Sequence, residues 1–385
     1  TNPAGIGFQD DVQATMGVFA SVPRLTVQYD GSPERLLNAF PGSNKDIEEK
    51  VGPILGIVMP GQALTDVPLD FPWAVGFGLY LPGESAFTQR ALRNEELFDV
   101  IFQERDLAIA LIAFGAFRLH PTLSLGAGIS VNAAVPTVVD TLASPDGRQF
   151  SNSDVDTQGS PAFTLGVQWR PTDRLSFGAS FIQEQRLSVR GTASVQLALV
   201  TDAYPFIPPA VLFGLPPTVS RVRFITGYTP AQFQVGASYK ITEQLEVDLA
   251  LQYQKWDRYK TTTASTPPNK FDNIWIPRVG VEYLLTRDFA LRGGFSYEPT
   301  PVTEQPQGFN LLGADRFIPS AGFGWRFEDP FGYFTKKISL DFAAFYQYIK
   351  PRTFDTGTGP PPLDQLTFGE LLGLALLVPD FLAAI

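Results

Sequence analysis

The sequence predicts an all-β fold, a transmembrane antiparallel β-barrel, and three observations carry this prediction. Thirteen stretches of the chain alternate apolar and polar residues with a period of two, as strands with one dry face and one wet face do. The connections between them alternate between short polar turns and long loops. No run of about 18 consecutive apolar residues exists, so no transmembrane helix is indicated, whereas a barrel strand needs only about 10 residues.

The stretch 244–256 shows the alternation most clearly. Leu245, Val247 and Leu249 share one face, which suits lipid, while Glu246 and Asp248 share the other, which suits a watery lumen. The predicted strands, in chain order, are 18–29, 51–60, 71–82, 106–119, 122–136, 161–170, 174–190, 223–240, 244–260, 273–285, 289–298, 315–327 and 337–350.

The connections divide the predicted barrel into two ends. The short ones are 119–122, 171–174, 241–244 and 285–288, and the long ones are 30–50, 83–105, 137–160, 191–222, 299–314 and 351–385. Short periplasmic turns and longer extracellular loops are typical of outer-membrane barrels, whereas a soluble sandwich or propeller has no reason for this alternation. We therefore assign residues 18–385 to a barrel with the long loops on its extracellular side.

Both ends of the sequence are expected to be incomplete. Thirteen strands is an odd number, and single-chain bacterial barrels use an even one. The last predicted strand ends near Lys350, and the segment from Leu366 to Ile385 turns apolar without alternating. The start at Thr1 is equally abrupt. We expect 14 strands in the complete protein.

Composition removes several classes of function. The chain has no cysteine and a single histidine, His120, which lies in a predicted turn, so thiolate or histidine metal sites and histidine catalysis are disfavoured. No G-x-S-x-G motif occurs. A net charge of −10 argues against nucleic acid as a partner. We expect a protein that is not an enzyme and that uses no metal or cofactor.

Several short motifs resemble the FadL/TodX family of outer-membrane transporters. Asn2-Pro3-Ala4 resembles the family's N-terminal signature, and 276–283, 291–298 and 315–322 look like its late strands. The resemblance covers most of 1–350. It implies a monomeric 14-stranded barrel in the outer membrane of a Gram-negative bacterium, in contact with membrane lipid and lipopolysaccharide.

The resemblance also implies a route for cargo. In the family, an N-terminal hatch blocks the lumen, extracellular loops capture hydrophobic molecules such as fatty acids, and cargo leaves sideways at a kinked third strand. We therefore expect residues 1–17 to be the end of a hatch, anchored by Asn2, Pro3 and Ala4. Gly76 and Gly78, in the third predicted strand, are expected to permit a kink or bulge and to form the lateral exit.

Two apolar loops are the predicted capture surface. Loop 194–217 is strongly apolar for a segment outside the membrane, and loop 84–105 reads as a short amphipathic helix. The predicted cargo contacts in these loops are Phe87, Phe98, Phe102, Leu199, Phe206, Ile207, Val211 and Phe213. The alternative is that these loops only pack over their neighbours, act as a lid or rest against lipopolysaccharide.

Two inward arginines, Arg278 and Arg292, are the predicted partners for a cargo carboxylate, because a guanidinium stays charged and binds carboxylates bidentately. The alternative is a ladder of ion pairs with the inward carboxylates, among them Glu282 and Asp341. If all the arginines are paired, the cargo is an uncharged hydrocarbon. A second class of function also remains open, namely a structural or adhesive barrel or a polar-solute porin.

Overall fold

The computed structural model describes residues 2–22, 50–65, 71–81, 98–99, 110–132, 137–142, 149–195, 218–261, 265–305, 311–332 and 336–353. Within these ranges the regular structure is almost entirely strand, with two short 3-10 helices at Pro3–Phe8 and Gly61–Ala63. None of the helices in the described ranges has the length and apolar character that a membrane crossing requires.

The strands, in chain order, are β1 (Gln13–Ser21), β2 (Lys50–Pro60), β3 (Trp73–Tyr80), β4 (Phe98–Asp99), β5 (Ala110–His120), β6 (Leu123–Asn132), β7 (Thr137–Leu142), β8 (Gln149–Gly159), β9 (Ala162–Thr172), β10 (Leu175–Ile182), β11 (Gln185–Val195), β12 (Thr218–Thr229), β13 (Ala231–Lys240), β14 (Leu245–Lys255), β15 (Ile274–Thr286), β16 (Phe289–Glu298), β17 (Leu311–Leu312), β18 (Arg316–Phe327), β19 (Ile338–Phe345) and β20 (Tyr348–Ile349).

One large antiparallel sheet forms the body of the molecule and confirms the predicted fold class. Its order is β1-β2-β3-β5-β6-β9-β10-β13-β14-β15-β16-β18-β19, and the short β20 pairs with β18 beside β19. Strands that are neighbours in this sheet are also consecutive along the chain, except where strands of the two smaller sheets come between them. Each of the thirteen predicted stretches overlaps one long strand of this sheet, but 174–190 and 223–240 also run into β11 and β12, which belong to a second sheet.

The two edges of this sheet come together. The rings of Phe19 on β1 and Phe345 on β19 stack with centroids 6.3 Å apart. Just outside the same two strands, Lys336 and Asp11 form an ion pair. A sheet whose first and last strands touch in this way has curled round on itself, as a barrel wall does.

The two faces of the wall differ as the alternation predicts. Large apolar side chains such as Phe163, Leu165 and Trp275 are 54–55% exposed on one face. The other face carries Ser124 and Thr164, which are buried against the N-terminal segment or neighbouring strands. An apolar face left open to this extent in an isolated chain is the face that lipid covers.

A second, four-stranded sheet lies mostly in segments that the sequence predicts to be loops. Its order is β12-β11-β8-β7, so the predicted loops 137–160 and 191–222 contain paired strands in their described parts. Residues 160–161 join β8 to β9, and residues 183–184 join β10 to β11, so this sheet prolongs the wall away from the short turns. The prediction missed β8 because its sequence, QFSNSDVDTQG, is polar on both faces.

Two boundaries also differ from the prediction. β1 begins at Gln13, within the segment assigned to the hatch, because Gln13 to Gly17 pair with β2. In the predicted helical loop 84–105, Phe98 and Asp99 instead form β4, which pairs in parallel with β17. Pairing with β17 satisfies the backbone groups of these two residues in place of helical hydrogen bonds.

An aromatic cluster fills the end of the wall opposite the short turns. Its members are Tyr228, Trp256, Tyr259, Phe271, Ile274, Ile276 and Val302. The Tyr228 hydroxyl donates to Glu184 at 3.2 Å, and the Trp256 indole N–H donates to Gln254 at 2.9 Å. Burial among these groups, helped by the Glu184 charge, raises the pKa of Tyr228 above its ordinary value, so this hydroxyl stays a neutral donor.

Candidate functional site

The N-terminal helix, Pro3–Phe8, is a short turn capped by its own sequence. Asn2 is the N-cap, and its side-chain oxygen accepts from the Ala4 N–H at 3.0 Å. Pro3 occupies the first helical position, where its lack of an N–H removes no hydrogen bond. The Asn-Pro-Ala triplet therefore specifies this turn through local physics alone.

The same triplet docks on a glycine patch on the inner face of the wall. The Asn2 amide donates to the carbonyl of Val167 at 2.7 Å, and Ala4 is fully buried. A Cβ on Gly166 would lie 2.0 Å from the Asn2 side-chain oxygen, and a Cβ on Gly126 would lie 2.4 Å from the Ala4 nitrogen. Both positions thus admit only glycine while the helix is docked.

Two arginines hold the other end of the helix beside the short turns. Arg118 donates to the Gly7 carbonyl at 2.8 Å and pairs with Asp10 at 2.7 Å. The Phe8 ring has the guanidinium of Arg118 at 5.4 Å from its centroid and that of Arg170 at 4.0 Å. Residues 2–10 are therefore fastened to the wall by a glycine patch at one end and by charges at the other.

A cavity of about 210 Å³ lies beside the N-terminal helix, against β1, β2, β3 and β5. Its lining is Ile6, Gln13, Thr15, Gly56, Ile57, Val58, Gly76, Phe77, Gly78 and Phe114. The strand pairings arrange the wall side of this lining in two rows. The rows are Gln13, Val58, Gly76 and Phe114, and Thr15, Gly56 and Gly78.

Glycines create this hollow. Gly56 and Gly78 face each other across β2 and β3, and Gly76 lies in the next row. A Cβ on Gly76 would contact Ile6 and Phe114, each at 3.5 Å, and a Cβ on Gly78 would come no nearer than 3.9 Å to any atom. The space that these three residues leave is apolar except at Gln13 and Thr15.

The third strand contains no bulge over residues 73–80, so the expectation of a bulge at Gly76 and Gly78 is wrong. The pairing of β3 with β2 runs from Tyr80 to Ala74 without a register shift, and its pairing with β5 runs from Trp73 to Tyr80 in the same way. Alternation continues straight through Gly76 and Gly78, because neither φ angle is positive and both glycines keep their ladder partners. The two glycines line a cavity and do not form a bulge.

The predicted arginines lie on the inner face but differ in their surroundings. Arg292 donates to Glu282 at 2.6 Å and to Asp341 at 2.6 Å, and Ser339 also donates to Asp341 at 2.6 Å. Its charge is thus matched by two protein carboxylates. Arg278 is exposed on the same face, level with Ser296 in the pairing of β15 with β16. Neither arginine lines the cavity.

Most of the predicted capture residues lie in parts of the chain that the structure does not describe. Phe87, Phe102, Leu199, Phe206, Ile207, Val211 and Phe213 lie outside the described residues, and Phe98 is described only as backbone in β4. His120 ends β5 and its ring nitrogen lies 2.9 Å from the Thr122 hydroxyl, as a turn residue does.

Sequence reasoning missed most of the cavity. Ile6, Val58 and Phe114 were not singled out, although the inward sets of 51–60 and 106–119 could have shown that these strands turn apolar groups and glycines to the lumen. A hollow depends on which rows lie side by side, and that requires the register between strands.

Comparison with known proteins identifies the family. The family model described as outer membrane protein transport protein (OMPP1/FadL/TodX) matches residues 1–368. Alkane uptake protein A of Marinobacter nauticus is 28% identical over 146 residues, which are 34% of this chain and 32% of that protein. The long-chain fatty acid transport protein of Salmonella typhi is 20% identical over 260 residues, which are 61% of this chain and 57% of that protein.

The chain thus spans less than two thirds of the length of these curated relatives. Among solved structures, the CymD monoaromatic hydrocarbon channel is similar with a TM-score of 0.49 at 14% identity, covering 91% of this chain and 87% of that one. The expected location in the outer membrane is confirmed by the family match. This chain belongs to the OMPP1/FadL/TodX family of outer-membrane transport proteins.

Proposed function

We propose that this chain carries hydrophobic molecules passively across the outer membrane. The observation that supports the proposal best is the apolar cavity between the N-terminal helix and the inner wall, with Ile6 on one side and Phe114 on the other. The hollow is partly open, so its apolar lining meets water unless a hydrophobic cargo covers it.

The names of the relatives point the same way, since one is an alkane uptake protein and another transports long-chain fatty acids. We propose that cargo is captured by loops 84–105 and 194–217, passes to the cavity, and leaves sideways beside β3. A concentration gradient is sufficient to drive this passage. Residues 1–17 would act as the hatch, and the protein would work as a monomer among lipid and lipopolysaccharide.

Lateral exit requires the wall to open beside β3, because the described ladders on both sides of this strand are continuous. Backbone groups that lose their partners in contact with lipid cost several kcal/mol each, so opening must be local and brief. The cavity lies directly inside this part of the wall, so a gap here would connect its contents to the membrane by the shortest path.

Transport itself is tested by uptake. Cells that display the chain in their outer membrane are compared with cells that carry an empty vector, using radiolabelled toluene, hexane and octanoate. We expect faster initial uptake of at least one of these compounds. The alternatives, a polar-solute porin or a structural barrel, predict no such increase, and the porin also predicts steady ion conductance in a planar bilayer.

The exit route is tested by disulfide cross-linking between introduced cysteines. The chain has no cysteine of its own, so only the introduced pairs can form disulfides within it. Ile57→Cys with Phe77→Cys would join β2 to β3, and Leu79→Cys with Leu111→Cys would join β3 to β5, since each pair is in register, and the four changes combined would lock both sides of β3. Directly opposed residues in antiparallel strands are close enough for a disulfide. Ile129→Cys with Phe163→Cys, between β6 and β9, is the matched control.

We expect oxidation of one of the two β3 pairs to slow hydrocarbon uptake, reduction to restore it, and the control pair to leave it unchanged. If uptake continues unchanged with both sides of β3 locked, cargo does not leave beside this strand.

A further inference from the structure

The cavity also limits what kind of cargo can occupy it. Its volume of about 210 Å³ exceeds the roughly 150 Å³ of an apolar protein cavity that binds benzene. It falls short of the roughly 300–1,000 Å³ of pockets for drug-sized ligands. A single ring or a short alkyl segment therefore fits within it, and any further part of the cargo would extend through its open side.

The described lining offers no opposite charge to a charged group. None of its ten described residues is charged, and the only polar side chains are Gln13 and Thr15, both on β1. A carboxylate brought into this space would lose part of its hydration without gaining a cation, which is unfavourable. An uncharged hydrocarbon loses nothing of this kind and gains from leaving water.

Two of the inner-face arginines, Arg292 and Arg118, already hold protein carboxylates. Arg292 contacts both Glu282 and Asp341, and Arg118 pairs with Asp10. If a cargo carboxylate took either arginine, it would displace a protein carboxylate and leave that group unpaired. A fatty acid thus gains no net ion pair at these two sites.

We propose that the cavity is selective for an uncharged hydrocarbon group, about the size of one ring or a short alkyl chain, and that it rejects carboxylates. This inference rests on the proposed function and narrows its substrate class. Gly56, Gly76 and Gly78 determine the selectivity, since they leave the flat apolar floor on which the cargo lies.

Gly78→Leu should fill the floor of the cavity. A Cβ at this position would lie 3.9 Å from its nearest neighbouring atoms, so the leucine side chain can enter the cavity without a clash at the backbone. Gly115→Leu is the matched control. Gly115 lies on the neighbouring strand β5 between the outward residues Ala113 and Phe117, and a Cβ there meets nothing within 4 Å. Both variants add the same side chain to the same part of the wall, one inside and one outside.

The experiment measures initial uptake of toluene, hexane and octanoate by cells that display the wild type or either variant, with equal amounts of folded protein at the surface. We expect the wild type to accelerate uptake of toluene or hexane and to leave octanoate at the empty-vector rate. Gly78→Leu should lower hydrocarbon uptake by roughly tenfold or more, equivalent to about 1.4 kcal/mol, and Gly115→Leu should not.

A second measurement uses only the wild type, so it does not depend on the folding of a variant. Excess benzene should compete with labelled toluene, and excess octanoate should not. If octanoate is taken up or competes as well as the hydrocarbons, the selectivity is refuted while transport stands. If no compound is taken up faster than in empty-vector cells, both the proposed function and this inference fail.

Discussion

Replacing Gly166 with alanine should undock the N-terminal helix from the wall. The added Cβ would lie 2.0 Å from the Asn2 side-chain oxygen and 2.7 Å from Pro3 Cδ. These separations are far below van der Waals contact, and β9 cannot retreat because both of its neighbours hold it in register. Asn2 and Pro3 must therefore move away from the wall.

The size of the effect follows from the contacts that are lost. The hydrogen bond from Asn2 to Val167 contributes about 1 kcal/mol, and a disturbed N-cap costs about 0.5–2 kcal/mol. Loss of the burial of Ala4 adds a similar amount, about 1 kcal/mol. A total of about 2.5–4 kcal/mol lowers the ratio of docked to undocked helix by roughly 70- to 1,000-fold.

Hydrogen exchange measured by mass spectrometry on the peptide 1–11 reads this ratio directly, because the amides of Gly5 and Gln9 are protected by hydrogen bonds within the helix. We expect their exchange to accelerate by that factor in Gly166→Ala. Gly115→Ala, where a Cβ meets nothing within 4 Å, should exchange as the wild type does. Unchanged protection in folded Gly166→Ala would show that the helix does not rest on this glycine patch.

Three further changes test other contacts. Arg118→Ala should raise the hydrogen-exchange rate of the peptide 1–11 by roughly tenfold, because Arg118 bonds to Gly7 and Asp10 in that segment. Arg174→Ala removes an equal charge from an exposed ion pair and should leave this exchange rate unchanged. Arg292→Ala should leave toluene uptake unchanged, because this arginine is engaged by protein carboxylates, and a large loss of uptake would make it a cargo ligand. In urea titrations of the protein in lipid vesicles, Trp256→Ala should lower the free energy of unfolding by about 3–5 kcal/mol, because it removes a large side chain from the aromatic cluster. Tyr228→Phe should lower it by only about 1 kcal/mol, because it removes one hydrogen bond. Equal losses would contradict the packing of the aromatic cluster.

The wall strands could be predicted because each one obeys a local rule. Period-two alternation in 244–256 or 289–298 reflects a lipid face and a lumen face that meet every strand in the same way. The rule fails for β8, whose sequence from Gln149 to Gly159 is polar at most positions and so carries no apolar alternation. Backbone pairing with β7 and β11 forms this strand, and backbone pairing leaves no trace in the pattern of side chains.

The candidate site could be predicted only in part. Asn2 to Ala4 and the glycines Gly76 and Gly78 were recognised, the former by resemblance and the latter by their place in the third strand. Their use differs from the expectation, because β3 keeps its register and its glycines line a hollow. Ile6 and Phe114 complete this hollow because the N-terminal helix docks on the wall. The two residues are more than 100 positions apart, so no local sequence pattern predicts their contact.

The central claim is that hydrophobic cargo binds in the cavity. Locating a bound heavy-atom analogue of that cargo tests this claim most directly. Crystals of the protein soaked with iodobenzene, with data collected for the anomalous signal of iodine, would reveal each bound molecule. We predict an iodine peak between Ile6, Gly78 and Phe114, and loss of that peak in Gly78→Leu crystals. Iodine peaks elsewhere in the lumen with none in this cavity, from wild-type crystals of equal quality, would contradict the account.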